Sequence, residues 1–201
     1  MKESIKKYIA YSIWIAIILF ILRSIIAKQE LEVLLANKSW LILLYSLLSY
    51  AGESIAVTSV LMTLFNSFLW KTRIINRFVD VPVLANSYFG YFVSDWYDMN
   101  IENECSLEIK QTYLSVSIVF KTKESRSISI LSSIETEGKR KKIVYTYQNE
   151  PRAELSANSP MHKGTVELWI EDNGCLSGNY YTSRKTSGSM YFKPYKENND
   201  E

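Results

Sequence analysis

Histidine and cysteine are scarce in this chain of 201 residues: His162 is the single histidine, and Cys105 and Cys175 are the two cysteines. One histidine without a cysteine cluster argues against a catalytic zinc centre, and no metal ligand set is assigned. Two cysteines without a C-x-x-C pair are no disulfide framework. They read as reduced thiols facing the cytosol, with a single disulfide between them left open. The motifs of catalysis are missing as well. There is no phosphate-binding loop, no G-x-S-x-G and no paired-carboxylate motif. No enzyme is expected, and no catalytic residue is assigned. An excess of one charge sign is also lacking, since 23 Lys and Arg face 21 Asp and Glu for a net of +2.

That near-balance hides a division along the chain. Residues 1–77 carry nine basic and four acidic side chains, whereas residues 78–201 carry fourteen and seventeen. The apolar residues are concentrated in residues 8–65, and the rest is rich in Ser, Thr, Tyr and Lys. Two domains are therefore expected: a membrane hairpin over 1–77 and a soluble domain over 78–201. A mildly acidic soluble domain is a poor partner for long nucleic acid, which needs a broad basic face. It can still hold a small anion in a local pocket.

Residues 8–27 form an apolar run of about 20 residues, enough to cross the hydrocarbon core as a helix. The run is too long for a signal peptide and lacks a small-residue cleavage site. A second run over 40–65 also spans. The two imply a hairpin with both ends on one side, joined by a loop over 28–39. Three basic residues precede the first span, two lie in the loop and three in 71–77, which favours a cytoplasmic N-terminus and C-terminal domain. Trp40 and Trp70 bracket the second span like interface aromatics.

Glu53 falls near the middle of the second span, where a carboxyl group needs a partner or water. Ser49, Gly52, Glu53 and Ala56 share one helix face. Such a face packs either within the hairpin or against another copy. Arg23 is the tempting partner for Glu53. In a simple hairpin it lies about nine residues shallower, some 13 Å at the helical rise, which argues against direct pairing.

From residue 78 the pattern changes to period two. Strands are expected over 87–96, 107–122, 126–134, 143–149, 165–170, 175–184 and 188–192. The stretch 107–122 reads as one long strand with Leu114, Val116, Ile118 and Phe120 on one face. In 126–134, Ile128, Ile130 and Ser132 alternate against Ser127, Ser129 and Leu131. Ile143, Tyr145, Tyr147 and Asn149 share a face. Turn signals fall at 137–139, 149–151, 172–174 and 187–188. Seven or eight strands in about 115 residues indicate a small antiparallel β-barrel, with a sandwich as the alternative. An eight-stranded barrel is wide enough for one small ligand.

In residues 178–188 the even positions share a face: Gly178, Tyr180, Thr182, Arg184, Thr186 and Gly188. That face offers hydroxyls, one fixed cation and a ring, and no aliphatic side chain. A phosphate needs such donors and charge, and a base needs a ring to stack on. The opposite facing, with Tyr181, Ser183 and Lys185 inward, stays open.

Taken in order, these segments resemble the two-transmembrane β-barrel effectors of bacterial cyclic-oligonucleotide anti-phage signalling, CBASS, encoded beside a cGAS/DncV-like nucleotidyltransferase. The helix pair, the aromatic-glycine strand 86–96, segments 107–113 and 125–129, segments 145–151 and 162–168, and the closing stretch 176–188 carry the likeness. Tyr88 and Tyr113 stand where tryptophan is the more usual residue. The resemblance implies a cytosolic receptor for a cyclic dinucleotide made by the partner enzyme. It also implies self-association on binding, inner-membrane disruption and abortive infection. On this reading Arg184 binds phosphate with Thr182 and Thr186, Tyr180 and Tyr147 stack on bases, and Asn149 and Gln111 read base edges. Ser49, Gly52, Glu53 and Ala56 form the assembly face. The alternative is a membrane-anchored barrel that carries an apolar ligand or scaffolds a protein. No cofactor is expected beyond the ligand.

Overall fold

In the computed structural model, residues 2–96, 101–153 and 160–195 are described. Two compact units follow each other along the chain, Lys2–Phe78 and the residues from Val79 onward.

The first unit is helical. Helix α1 (Lys2–Ile26) carries the apolar run, and α2 (Lys28–Ala36) follows it directly. The backbone stays hydrogen-bonded through the join: Ala27 N–H donates to Arg23 O at 3.1 Å and Leu31 N–H to Ala27 O at 3.0 Å. The stretch expected as a loop over 28–39 is thus mostly helix, since Lys, Gln, Glu and Leu are good helix formers. The chain reverses only at residues 37–39, where Lys38 adopts φ 54°. Helix α3 (Trp40–Ser67) then runs back, followed by a 3₁₀ turn (Leu69–Lys71) and a short α4 (Arg73–Asn76). Two helices, Ser4–Ile26 and Trp40–Ser67, are long and apolar enough to cross a membrane, with mean hydropathies of 2.3 and 1.5.

The packing of this pair inverts that of a water-soluble bundle. Helix α3 buries Ser46, Tyr50, Ser54, Thr58 and Met62, a row repeating every four residues, while Leu41, Tyr45 and Leu48 stand exposed. Small and polar side chains between helices with Leu and Ile outside is the arrangement expected where the surroundings are apolar. Ser49, Gly52, Glu53 and Ala56 lie outside that buried row and are exposed. Trp40 is exposed as an interface ring would be, but Trp70 is fully buried.

Arg23 and Glu53 do pair: Arg23 Nε donates to Glu53 Oε2 at 2.9 Å. The sequence reading placed the turn too early. With α1 continuing into α2, the reversal centres on Lys38, fifteen residues after Arg23 and fifteen before Glu53, so both reach the same depth.

The second unit is a closed barrel of eight strands in sequence order, every neighbouring pair antiparallel and β8 closing on β1. The strands are β1 (Ser87–Ser94), β2 (Asn103–Gln111), β3 (Val116–Lys121), β4 (Ser125–Glu137), β5 (Arg140–Pro151), β6 (His162–Ile170), β7 (Leu176–Thr182) and β8 (Ser187–Pro194). Closure leaves no free sheet edge around the ring, and short connections make each successive strand the neighbour of the last.

Three expectations are corrected here. The stretch 107–122 is a hairpin of β2 and β3, turned by Thr112, whose Oγ1 accepts from Ser115 N–H at 3.0 Å. A hydroxyl does there what Gly or Pro would have signalled. The turn expected at 149–151 is absent, because β5 runs on to Pro151 opposite Ser125. In β4 a register shift between Ser129 and Leu131 breaks the alternation, so that Ile128, Ile130 and Leu131 are all exposed while Ser127 is buried.

The inward rows grade from apolar to polar along the barrel. At one end Leu107, Ile109, Ile143, Leu168, Leu176 and Phe192 form the core, with Leu84 set against them. Gln111 seals this floor: its Oε1 accepts from Leu84 N–H at 3.0 Å and its Nε2 donates to Pro82 O at 2.8 Å. Tyr88 adds a bond from Ala85 N–H to its hydroxyl at 3.1 Å. Toward the other end β5 passes from Ile143 through Tyr145 and Tyr147 to Asn149, and β7 from Leu176 to Tyr180 and Thr182. The join between β3 and β4 is thin. Val119–Ile128, Phe120–Ser127 and Lys121–Arg126 pair along it. Beyond them, Ile118 N–H donates to Ser129 Oγ at 2.9 Å, and Ser132 Oγ donates to Val116 O.

Candidate ligand pocket

The polar end of the barrel holds a cavity of about 360 Å³. This is within the range of small-molecule sites. Every strand of the barrel contributes to its walls, β2 through Asn103 and Glu104, and its lining mixes rings with hydrogen-bonding groups.

Room for the rings is made by glycines on neighbouring strands. A Cβ on Gly164 of β6 would lie 2.4 Å from the Tyr147 hydroxyl, and one on Gly188 of β8 would lie 2.6 Å from the Tyr180 ring. Tyr147 and Tyr180 therefore lie across these strands, and both line the cavity. Phe92 meets Phe120 edge-on at 5.9 Å and Tyr180 at 6.4 Å, continuing the aromatic wall. Burial raises the Tyr147 and Tyr180 hydroxyl pKa values above the ordinary tyrosine value, so both are neutral donors at pH 7.

Deeper in, Tyr145 is 1 % exposed, and its hydroxyl has no hydrogen-bond partner among the described residues. A buried hydroxyl left unmatched costs free energy. The Tyr145 side chain is among those that line the cavity, although its oxygen is closed off from solvent.

The cationic side is built by the turn between β7 and β8. Thr182 Oγ1 accepts from Arg184 N–H at 3.2 Å and Thr186 N–H at 3.3 Å. Thr182 and Thr186 Oγ1 atoms are 2.6 Å apart. A hydroxyl oxygen has two lone pairs. With both of these occupied, the Thr182 proton goes to Thr186, and the Thr186 proton is available to the cavity. Lys185 takes φ 63° to close the turn. The strand expected to run through Arg184 thus ends at Thr182, and Arg184 reaches the cavity from the turn. Its guanidinium lies 4.7 Å over the Trp96 ring. Asp95, beside Trp96, fastens β1 to β8: Ser187 N–H donates to Oδ1 at 2.8 Å and Ser187 Oγ to Oδ2 at 3.1 Å.

Opposite stands a polar chain. Ser127 Oγ donates to Asn149 Oδ1 at 2.9 Å, which turns the amide nitrogen toward His162 Nδ1 at 3.5 Å. His162 Nδ1 also lies 3.2 Å from Pro160 O. Burial and then nearby Arg184 lower the His162 pKa, while the Pro160 carbonyl pulls the other way. The imidazole is neutral at pH 7. The thiol of Cys105, in the core, is pushed up to about 12 by burial and is no nucleophile.

Of the ligand residues expected from sequence, Arg184, Thr182, Thr186, Tyr180, Tyr147 and Asn149 all line this one cavity. Gln111 does not. Its amide is spent on Leu84 and Pro82 at the floor. Phe92, Trp96, Phe120, Ser127, Tyr145 and His162 line the cavity without having been singled out as ligand groups. Tyr145 was legible, since it shares the period-two row of Tyr147 and Asn149.

The model of the Cap15 cyclic dinucleotide receptor domain matches residues 79–194, which is the barrel. The chain belongs to this family. A cyclic dinucleotide is thus the ligand class for which the Cap15 domain is named, and the pocket's rings, hydroxyls and cation are the groups such a ligand needs. The chain is also similar to CD-NTase-associated protein 15 of Staphylococcus schleiferi, 28% identical over 199 residues, covering 98% of this chain and 100% of that protein. The similarity to a Cap15 relative includes the helix pair as well as the barrel. The resemblance to CBASS effectors drawn from the sequence agrees with both comparisons.

Proposed function

We propose that this CBASS effector is a membrane-anchored, non-enzymatic switch. The barrel takes up a cyclic dinucleotide made by a partner nucleotidyltransferase, the bound chains associate, and their helices disrupt the inner membrane so that the infected cell dies. Both termini and the barrel face the cytoplasm, in keeping with the basic residues at 2–7 and 71–77. The observation that carries the reading is the joining of Arg184, the Thr186 hydroxyl and the Tyr147 and Tyr180 rings in one cavity of a receptor-family barrel that follows two apolar helices. Arg184 and Thr186 hold a phosphate, the two rings stack on the bases, and the Asn149 amide nitrogen meets a base acceptor. Thr182 supports the site through the turn it organises. Ser49, Gly52, Glu53 and Ala56 contribute to the helix face used in assembly.

A carrier of apolar ligands fits this cavity poorly, because Arg184, Asn149, Ser127 and Thr186 would lose water without recompense. The experiment is equilibrium dialysis of the full chain in lipid nanodiscs against radiolabelled cyclic dinucleotides and trinucleotides. Tight binding of one cyclic dinucleotide is expected. A folded, inserted chain that binds none overturns the reading.

A further inference from the structure

The Arg23–Glu53 pair lies inside both apolar helices, and its surroundings leave it incomplete. Arg23 and Glu53 side chains are 36% and 52% exposed. The guanidinium has five N–H donors. Among the described residues it gives one, through Nε, to Glu53, and its face rests 4.2 Å above the Tyr50 ring. Tyr50 turns its own hydroxyl away, to Glu30 Oε2 at 3.1 Å. In hydrocarbon such a pair is costly, and intramembrane charges face a helix-bundle interior or water.

The hairpin does not provide that interior. Its own contact uses Ser46, Tyr50, Ser54, Thr58 and Met62, and Glu53 projects outside this row. The surface next to Glu53 is open: a Cβ on Gly52 would meet nothing within 4 Å. One structure supplies both the missing carboxylate oxygens for Arg23 and the missing donors for Glu53 at the same depth, and that is a second copy of this chain. Two copies meeting on this face bring two cations and two anions together with no net charge.

We infer that, in the assembled state of the proposed effector, Arg23 of one chain pairs with Glu53 of the next, so that the ion pair within each hairpin becomes a set of ion pairs between hairpins. The inference rests on the self-association proposed above. Close approach is permitted by Gly52 and by the small Ser49 and Ala56 beside it.

Charge exchange tests it. Full-length chains labelled with donor or acceptor fluorophores are reconstituted in phosphatidylethanolamine–phosphatidylglycerol vesicles, with the cyclic dinucleotide that binds the native chain tightest. Arg23→Glu alone and Glu53→Arg alone should each weaken ligand-driven energy transfer by about tenfold. Ligand affinity and resistance to alkaline extraction should be unchanged. An equimolar mixture of the two variants should restore transfer, because each supplies the charge the other lost. If the mixture fails while the doubly exchanged chain assembles, the pair stays within one hairpin and the inference is overturned. Single variants that assemble like the native chain overturn it too. Should a single variant not insert, Arg23→Gln and Glu53→Gln, which keep side-chain size, are expected to weaken transfer in the same direction. If the native chain shows no ligand-driven transfer, the trigger fails. The mixture is then compared at high protein-to-lipid ratio without ligand, where restored transfer still supports the pairing and its absence still overturns it.

Discussion

The Oγ1 atoms of Thr182 and Thr186 lie 2.6 Å apart across the β7–β8 turn, and the two hydroxyls are not equivalent. Thr182 accepts two backbone N–H groups, so it donates to Thr186, whose own proton is left for a ligand. Thr186→Val should lower ligand affinity by about tenfold, the worth of a hydrogen bond to a charged group, with little change in melting temperature. Thr182→Val should lower both, because it loosens the turn that carries Arg184. Isothermal calorimetry and a thermal melt of the same samples separate the two. Equal behaviour of the two variants would refute the assignment of donors.

Arg184 contributes the cationic group of the β7–β8 turn. Arg184→Ala should weaken cyclic dinucleotide binding by about tenfold to a hundredfold, as expected for a charge-assisted contact, while membrane insertion is kept. Arg184→Lys should recover part of this loss, since a point charge remains without the planar fork. Affinity unchanged in Arg184→Ala, measured by dialysis, would remove Arg184 from the site.

Tyr145 makes a prediction of mixed sign. Its buried hydroxyl has no partner among the described residues. Tyr145→Phe removes that oxygen and should leave the ligand-free barrel as stable or more stable, by up to about 1 kcal/mol. The same change should weaken binding if a ligand atom reaches the oxygen. A melting temperature that falls would show that ordered water matches the hydroxyl, and an affinity that holds would show that no ligand atom reaches it.

The His162 pKa is lowered in the fold by burial and by Arg184. The unfolded chain therefore binds the proton more readily than the folded one. The stabilising contribution is present above the ordinary histidine value, about 6.5, and is lost as pH falls below it. Melting temperature followed from pH 7.5 to 5.5 should decline, and His162→Gln should flatten that decline. An identical slope in the variant would show that other groups carry it.

The sequence made the strand rows readable because each inward row repeats every two residues. Ile143, Tyr145, Tyr147 and Asn149 share the barrel interior, and Tyr180 and Thr182 face the cavity while Tyr181 is exposed. Period two gives the face of a strand but not its height along the barrel. That is why Gln111 was grouped with Asn149, although register puts it at the floor and Asn149 at the mouth. The β2–β3 turn was hidden because Thr112 closes it with a hydroxyl. Helix α2 was hidden because its charged residues resemble a loop between two apolar runs, and misplacing the reversal concealed the meeting of Arg23 and Glu53. Gly164 and Gly188 were visible as residues, but their purpose appears only once the tyrosine rings cross them.

A ring opens first where its closure is weakest. Around this barrel that join lies between β3 and β4, where serine hydroxyls at 129 and 132 replace backbone rungs. Solvent hydrogen exchange should therefore reach the amides of residues 116–118 and 130–134 sooner than those of β5 and β6. Phe120 and Ser127 face each other across the same join, and both border the cavity. A molecule resting against both acts as a stitch, so its arrival should be read most clearly as slowed exchange along this one seam.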